Sequence, residues 1–134
     1  MLTFEELYNE VLKAREKAYA PYSNFKVGAV LECNDGKLFY GANVENSSYG
    51  LTVCAERNAI FQAVLEGYRS DDFAQMMLVT DSDILASPCG ACRQVMAEFF
   101  NDDTPIIIVT LKGEKLITNV KELLPYSFSG RNLK

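Results

Sequence analysis

Residues 76–110 read MMLVTDSDILASPCGACRQVMAEFFNDDTPIIIVT, and this stretch decides the fold class. Its two ends, 76–80 and 105–110, are continuous apolar runs, the pattern of strands buried on both faces. Between them Ser87 and Pro88 offer a helix N-cap followed by a proline at the first helical position, opening a helix that reaches Phe99 or Phe100. Strand, helix and strand in this order predict a parallel β-α-β unit with a right-handed crossover.

Toward the N-terminus, Ala55, Ala59, Ile60, Ala63 and Val64 recur at helical spacing. Thr52 is the expected N-cap and Gly67 the stop, so this helix begins near Cys54. Before it, Phe25, Val27, Ala29, Leu31 and Cys33 alternate toward Asn34-Asp35-Gly36, and Leu38, Tyr40 and Val44 follow in a second extended run, which predicts a hairpin. Thr3 and Glu6 form a capping-box signature ahead of Phe4, Leu7, Val11, Ala14 and Ala18, a helix that Pro21 stops. Toward the C-terminus, Lys112-Gly113-Glu114 predicts a turn into Leu116-Ile117, then a short helix near 120–124. No Pro, Gly or Ser-rich linker, repeat or low-complexity tract divides the chain, so residues 1–134 are expected to form one α/β domain with helices on both faces of a sheet.

The chain has 134 residues, 13 Lys plus Arg against 18 Asp plus Glu, a formal charge of −5, and no histidine. Histidine is the usual general base near neutral pH and the commonest metal ligand, so every Ser-His-Asp, Cys-His and H-E-x-x-H scheme is excluded. The acidic balance argues against a polyanionic partner, because affinity for nucleic acid comes largely from Lys and Arg releasing phosphate counterions. No apolar run reaches the length of a membrane span, and the start Met1-Leu2-Thr3-Phe4-Glu5-Glu6 lacks the basic-then-apolar layout of a signal peptide. A cytoplasmic protein is therefore expected, with no membrane and no nucleic-acid partner. In that compartment four cysteines are reduced, catalytic or metal-binding rather than bridged.

Three of the four stand in the first turns of two helices: Cys54 in one, Cys89 and Cys92, at i and i+3, in the other. A helix N-terminus carries partial positive charge and free N–H donors, which lowers a thiol's pKa and favours the thiolate that binds metal. Thiolates are soft ligands, and a catalytic zinc keeps three protein ligands and one open position, so Zn²⁺ is the expected cofactor. Cys33 continues the apolar alternation of its strand and reads as a buried core thiol. A redox C-x-x-C reading of Cys89-Gly90-Ala91-Cys92 leaves Cys54 and its neighbour Glu56 without a role. Glu56, two residues past Cys54, is the leading general base in a chain without histidine.

Cys-Ala-Glu followed by Pro-Cys-x-x-Cys resembles the zinc deaminase signature, with cysteine in place of its histidine. Over nearly the whole chain the sequence is similar to the cytidine deaminase family in its short form with three cysteine ligands. The segments that carry the likeness are Tyr22-Ser23-Asn24-Phe25-Lys26-Val27-Gly28-Ala29, Gly41-Ala42-Asn43-Val44-Glu45-Asn46-Ser47-Ser48-Tyr49-Gly50, Cys54-Ala55-Glu56-Arg57 and Ser87-Pro88-Cys89-Gly90-Ala91-Cys92-Arg93-Gln94. The resemblance implies a three-layer α/β/α sandwich around a mixed five-stranded sheet. It also implies one zinc per subunit, a homotetramer, and hydrolysis of cytidine or deoxycytidine to uridine or deoxyuridine and ammonia in pyrimidine salvage. By the same resemblance Asn43 and Glu45 bind the ribose hydroxyls, Phe25 packs on the base, and Ala55 and Glu56 read its polar edge. Phe128, after Leu123-Leu124-Pro125, completes the site of a neighbouring subunit, and Tyr49 faces that neighbour's site. Ser129-Gly130 departs from the family's usual Gly-Pro.

In this reading zinc lowers the pKa of water, and Glu56 moves the proton from water to the ring nitrogen and then to the leaving amine. Three thiolates on Zn²⁺ carry a formal charge of −1, and Arg57 is expected to offset it by hydrogen bonds to the sulfurs. Two alternatives remain open: a deaminase of the same fold acting on blasticidin S, and a structural zinc module with four cysteine ligands.

Overall fold

The computed structural model describes residues 1–133. A five-stranded sheet has the order β2-β1-β3-β4-β5, with β1 Val27–Cys33, β2 Leu38–Ala42, β3 Phe73–Thr80, β4 Ile106–Thr110 and β5 Lys115–Thr118. Helix α1, Phe4–Arg15, lies on one face; α2, Ala55–Leu65, and α3, Gly90–Phe99, lie on the other, and the short α4, Val120–Leu123, follows β5. This is an α/β sandwich around a mixed sheet. β3 and β4 pair in parallel, as the strand-helix-strand reading predicts. The other connection differs: β1 enters between β2 and β3 and pairs antiparallel with both, so β2 and β3 run the same way without touching.

Pleating separates two cores. Val30, Met77 and Ile107 align in register and pack under Leu7, Val11 and Ala14 of α1. Ala29, Leu78 and Ile108, one position along, face Ala59, Ile60 and Ala63 of α2 and Met96 of α3. Because helices cover both faces, every residue from Gly28 to Cys33 is buried, whereas a one-sided strand would bury alternate positions. The buried Glu32 carboxylate accepts the Leu2 N–H at 2.9 Å and Gln75 Nε2 at 2.6 Å, which keeps its charge partnered.

Helix α1 opens on the expected capping box and ends three residues before Ala18, where i→i−3 bonds from Lys17 and Ala18 N–H close its last turn. The hairpin turn places Gly36 at φ +92°, a conformation that glycine adopts without strain. Gly41 permits the close approach of α2 to β2, since a Cβ there would stand 2.7 Å from the Ala59 nitrogen. Asn58 and Gln62 of α2 then donate to the carbonyls of Ala42 and Tyr40, each at 2.8 Å, satisfying edge acceptors of β2.

Candidate functional site

Two helix starts meet at the carboxyl ends of β2 and β3. The expected N-caps Thr52 and Ser87 do not cap; Cys54 stands at the N-cap of α2 without a side-chain cap hydrogen bond, and Cys89 is the N-cap of α3, its thiol in the place of the usual side-chain oxygen. Cys92 N–H points at Cys89 Sγ, 3.5 Å away. Proline 88, expected inside the helix, ends the extended segment before it.

The three Sγ atoms of Cys54, Cys89 and Cys92 all lie within 4.8 Å of one another. The Cys54–Cys89 separation is 4.0 Å, close to the roughly 3.8 Å that a tetrahedral centre with Zn–S bonds of about 2.3 Å requires. Three soft donors at this spacing fit zinc and leave a fourth direction open. Cys33 is not part of the cluster. It is 1% exposed in the α2 and α3 core, and burial pushes its thiol up to about 11, so it stays protonated.

Electrostatics polarise the cluster. Cys54 is pulled down to about 5 by a hydrogen bond from Cys92 and by Arg57, while Cys92 is pushed up by that same bond and by burial. Arg57 Nη2 donates to Cys54 Sγ at 3.4 Å, and this contact raises the guanidinium's own pKa. Its Nε is buried and has no hydrogen-bond partner among the described residues. Glu56 is 4% exposed; burial pushes its carboxyl up to about 7, against the lowering effect of its own backbone N–H and the Cys92 thiol. A carboxyl in that range can hold a proton and release it near neutral pH.

Beside the thiols opens a cleft of about 250 Å³, lined largely by apolar groups. Phe25, Asn43, Cys54, Ala55, Glu56 and Cys89 all border it. Phe25 precedes β1 rather than belonging to it, which leaves its ring 38% exposed at the cleft. Asn43 is buried, with its amide fixed by donation to Phe25 O at 2.9 Å and acceptance from Val27 N–H at 2.9 Å. Glu45 does not line the cleft. Its carboxylate accepts from the Tyr22 N–H and the Ser23 N–H and hydroxyl, and the Ser23 hydroxyl bond is the main reason its pKa is lowered. It thereby ties down the turn that presents Phe25.

Tyr49, 77% exposed, and Phe128, 58% exposed, also stand outside this chain's cleft. Residues to which the sequence gives a strand or cap role but no site role complete the walls: Val27, Leu78 and Thr80 from the sheet, Thr52 before α2, and Ser87 and Pro88 before α3, together with Ala86. A wall needs only shape, so no residue type at these positions marks them as lining a cleft. A wider depression of about 510 Å³ between Ser70, Phe100, Asn101 and Ser127 contains no cysteine.

Comparison with known proteins agrees with this geometry. The family model described as "Cytidine and deoxycytidylate deaminase zinc-binding region" matches residues 1–108. A cytidine deaminase of Sporosarcina psychrophila is 50% identical over 129 residues, covering 96% of this chain and 93% of the relative. One of Halalkalibacterium halodurans is 48% identical over 127 residues, covering 95% of each. Among solved structures, the cytidine deaminase of Burkholderia pseudomallei superposes with a TM-score of 0.92 at 49% identity, over 95% of this chain and 100% of that one. That of Mycobacterium tuberculosis gives 0.78 at 32%, over 96% and 98%.

Proposed function

The chain belongs to the cytidine and deoxycytidylate deaminase family of hydrolytic enzymes, and from that premise we propose that it converts cytidine and deoxycytidine to uridine and deoxyuridine with release of ammonia, in pyrimidine salvage. The observation that carries this reading is the placement of the buried Glu56 between the three-thiol cluster and a cleft bordered by Phe25 and Asn43. Cys54, Cys89 and Cys92 would hold one zinc per subunit. Bound there, zinc supplies Lewis-acid activation of water.

The chain's own groups do the rest. Glu56 takes a proton from the attacking water, holds it in a site that water scarcely reaches, gives it to the ring nitrogen beside the amine-bearing carbon, and assists the departing amine. Phe25 presents an aromatic face to the base, worth about 1–3 kcal/mol for stacking. Asn43 and Glu45 are the proposed ribose ligands, and their present hydrogen bonds to the 22–27 backbone would hold them in place for that task. Ala55 and Glu56 would read the polar edge of the base, and Arg57 would offset the negative charge of the thiolates. The site would be completed in a cytoplasmic homotetramer by Tyr49 and Phe128 of neighbouring copies, a role that fits the exposure of both rings.

Replacing Glu56 by Gln keeps size and hydrogen bonding while removing the base. Ultraviolet-monitored cytidine turnover should fall by about 10² to 10⁴ with zinc content unchanged; equal turnover in the two proteins would overturn the assignment. A four-cysteine structural module would need Cys33, which lies in the core of β1 away from the other thiols. Cys33→Ser should therefore retain zinc and turnover, measured by metal analysis beside the same assay.

A further inference from the structure

Residues 82–88, which carry the Ala86-Ser87-Pro88 wall of the cleft, make no backbone–backbone hydrogen bond to the rest of the described chain. What fastens this wall is Arg93, a residue of α3 that does not itself line the cleft. Its guanidinium makes three well-formed contacts. Nε donates to Pro88 O at 2.8 Å, Nη2 to Ser87 Oγ at 2.6 Å, and Nη1 to Leu123 O at 2.7 Å. The first two hold the wall directly before the N-cap Cys89. The third reaches 30 residues along the chain, to the end of α4.

The next residue, Gln94, donates from Nε2 to Phe128 O at 2.9 Å. The segment from Leu123 to Phe128 is thus tied at both ends to consecutive residues of α3. Between the ties Tyr126 sits at φ +58° and fully exposed, a left-handed conformation that is strained for a non-glycine residue. Leu124 N–H donates to Val120 O at 2.8 Å and Leu123 packs on the core, which fixes the start of the segment; beyond Leu124 the tie from Gln94 holds its far end.

We propose that Arg93 is a positioning residue that locks the Ser87-Pro88 wall of the cleft to the 123–128 strap, so that losing its fork loosens both together. Arginine suits this task because its planar fork serves three oxygens at once; an ammonium would keep the charge but not the fork. The substrate side of the proposal rests on the deaminase reading above, whereas the coupling of wall to strap stands apart from it.

The test uses the zinc-loaded, full-length protein and its Arg93→Ala, Arg93→Lys and Gln94→Ala variants, read by hydrogen exchange of peptides covering 82–92 and 119–128 and by cytidine kinetics. Arg93→Ala should speed exchange in both segments and raise KM about tenfold, the scale expected for losing hydrogen bonds from a charged donor, while kcat and zinc content change little. Gln94→Ala should speed exchange only around Phe128. Arg93→Lys, the variant that preserves folding if alanine does not, should loosen both segments to an intermediate degree with an intermediate KM. Faster exchange in the strap alone, or wild-type KM in both Arg93 variants, would overturn the proposal. A wild type inert toward cytidine would instead defeat the deaminase reading and leave the exchange result to judge the coupling.

Discussion

The three long helices begin in two different ways. Helix α1 starts on Thr3, whose hydroxyl accepts the Glu6 N–H at 3.2 Å while the Glu6 carboxylate accepts the Thr3 N–H at 3.0 Å. Helix α2 starts on Cys54, which makes no side-chain cap hydrogen bond, and α3 on Cys89, whose only such contact is the long one from Cys92 N–H. Neither sulfur takes up its helix's first N–H donors as closely as an oxygen cap does, so these two starts leave donors and positive dipole under-used. The difference separates fold from chemistry: where a helix start serves folding alone its donors are satisfied locally, and where it serves a site they are kept for an anion.

Replacing Cys89 by Ser is the sharpest way to break that contrast, because it gives α3 a better cap and a worse metal ligand. Zinc should no longer copurify, and turnover should fall below detection, while far-ultraviolet circular dichroism stays that of the wild type; Cys54→Ser should behave alike. Zinc bound at one equivalent in either variant would show that the thiols are not the ligands.

The C-terminal end of α1 shows that the face opposite α2 and α3 has an electrostatic anchor of its own. Asp81, directly after β3, accepts from Arg15 Nε at 2.5 Å and from the Lys26 N–H at 2.9 Å, joining the end of the helix to the entry of β1. Burial would raise the Asp81 pKa, but these donors outweigh it and hold the carboxyl below its ordinary 3.8. A depressed folded pKa means that the contribution is complete above the unfolded value and is lost as pH falls through the folded one. Asp81→Asn should cost about 2 kcal/mol at neutral pH, and the gap between the two proteins in urea unfolding should close below about pH 4. Parallel pH curves would show that the carboxylate is not the anchor.

The same contrast explains what the sequence could and could not tell. Strands β3 and β4, the hairpin and the order of helices are written in apolar runs and periodicity, and the structure has them. Ser87-Pro88 predicts a start of α3 two residues early because cap preferences favour an oxygen cap, whereas a thiol holds the position and the preceding residues form a cleft wall. The Ala18 reading extended α1 because periodicity does not register the i→i−3 bonds that close it at Arg15. The insertion of β1 between β2 and β3 is a matter of pairing that no local pattern encodes. Cys54, Cys89 and Cys92 could be grouped from spacing because a metal site needs particular atoms at particular helix turns. Arg93 was opaque, since its partners are two carbonyls and a hydroxyl that a guanidinium could find anywhere.

The smallest effect is expected at the start of α1, and its smallness is what the contrast requires. Thr3→Ala removes the acceptor for Glu6 N–H and half of the capping box, which should cost about 1 kcal/mol. Two features limit the damage: Glu5 and Glu6 still face the helix's positive end, and the Leu2 N–H remains held by buried Glu32. The loss should appear as a lower urea midpoint with an unchanged slope, since the surface exposed on unfolding is the same. Cytidine turnover and zinc content should not move, because α1 packs on Val30, Met77 and Val109 and reaches neither the thiols nor the cleft. A Thr3→Ala protein with normal stability but impaired turnover would show that the start of α1 also serves the site, and the division between folding caps and chemical caps would fall.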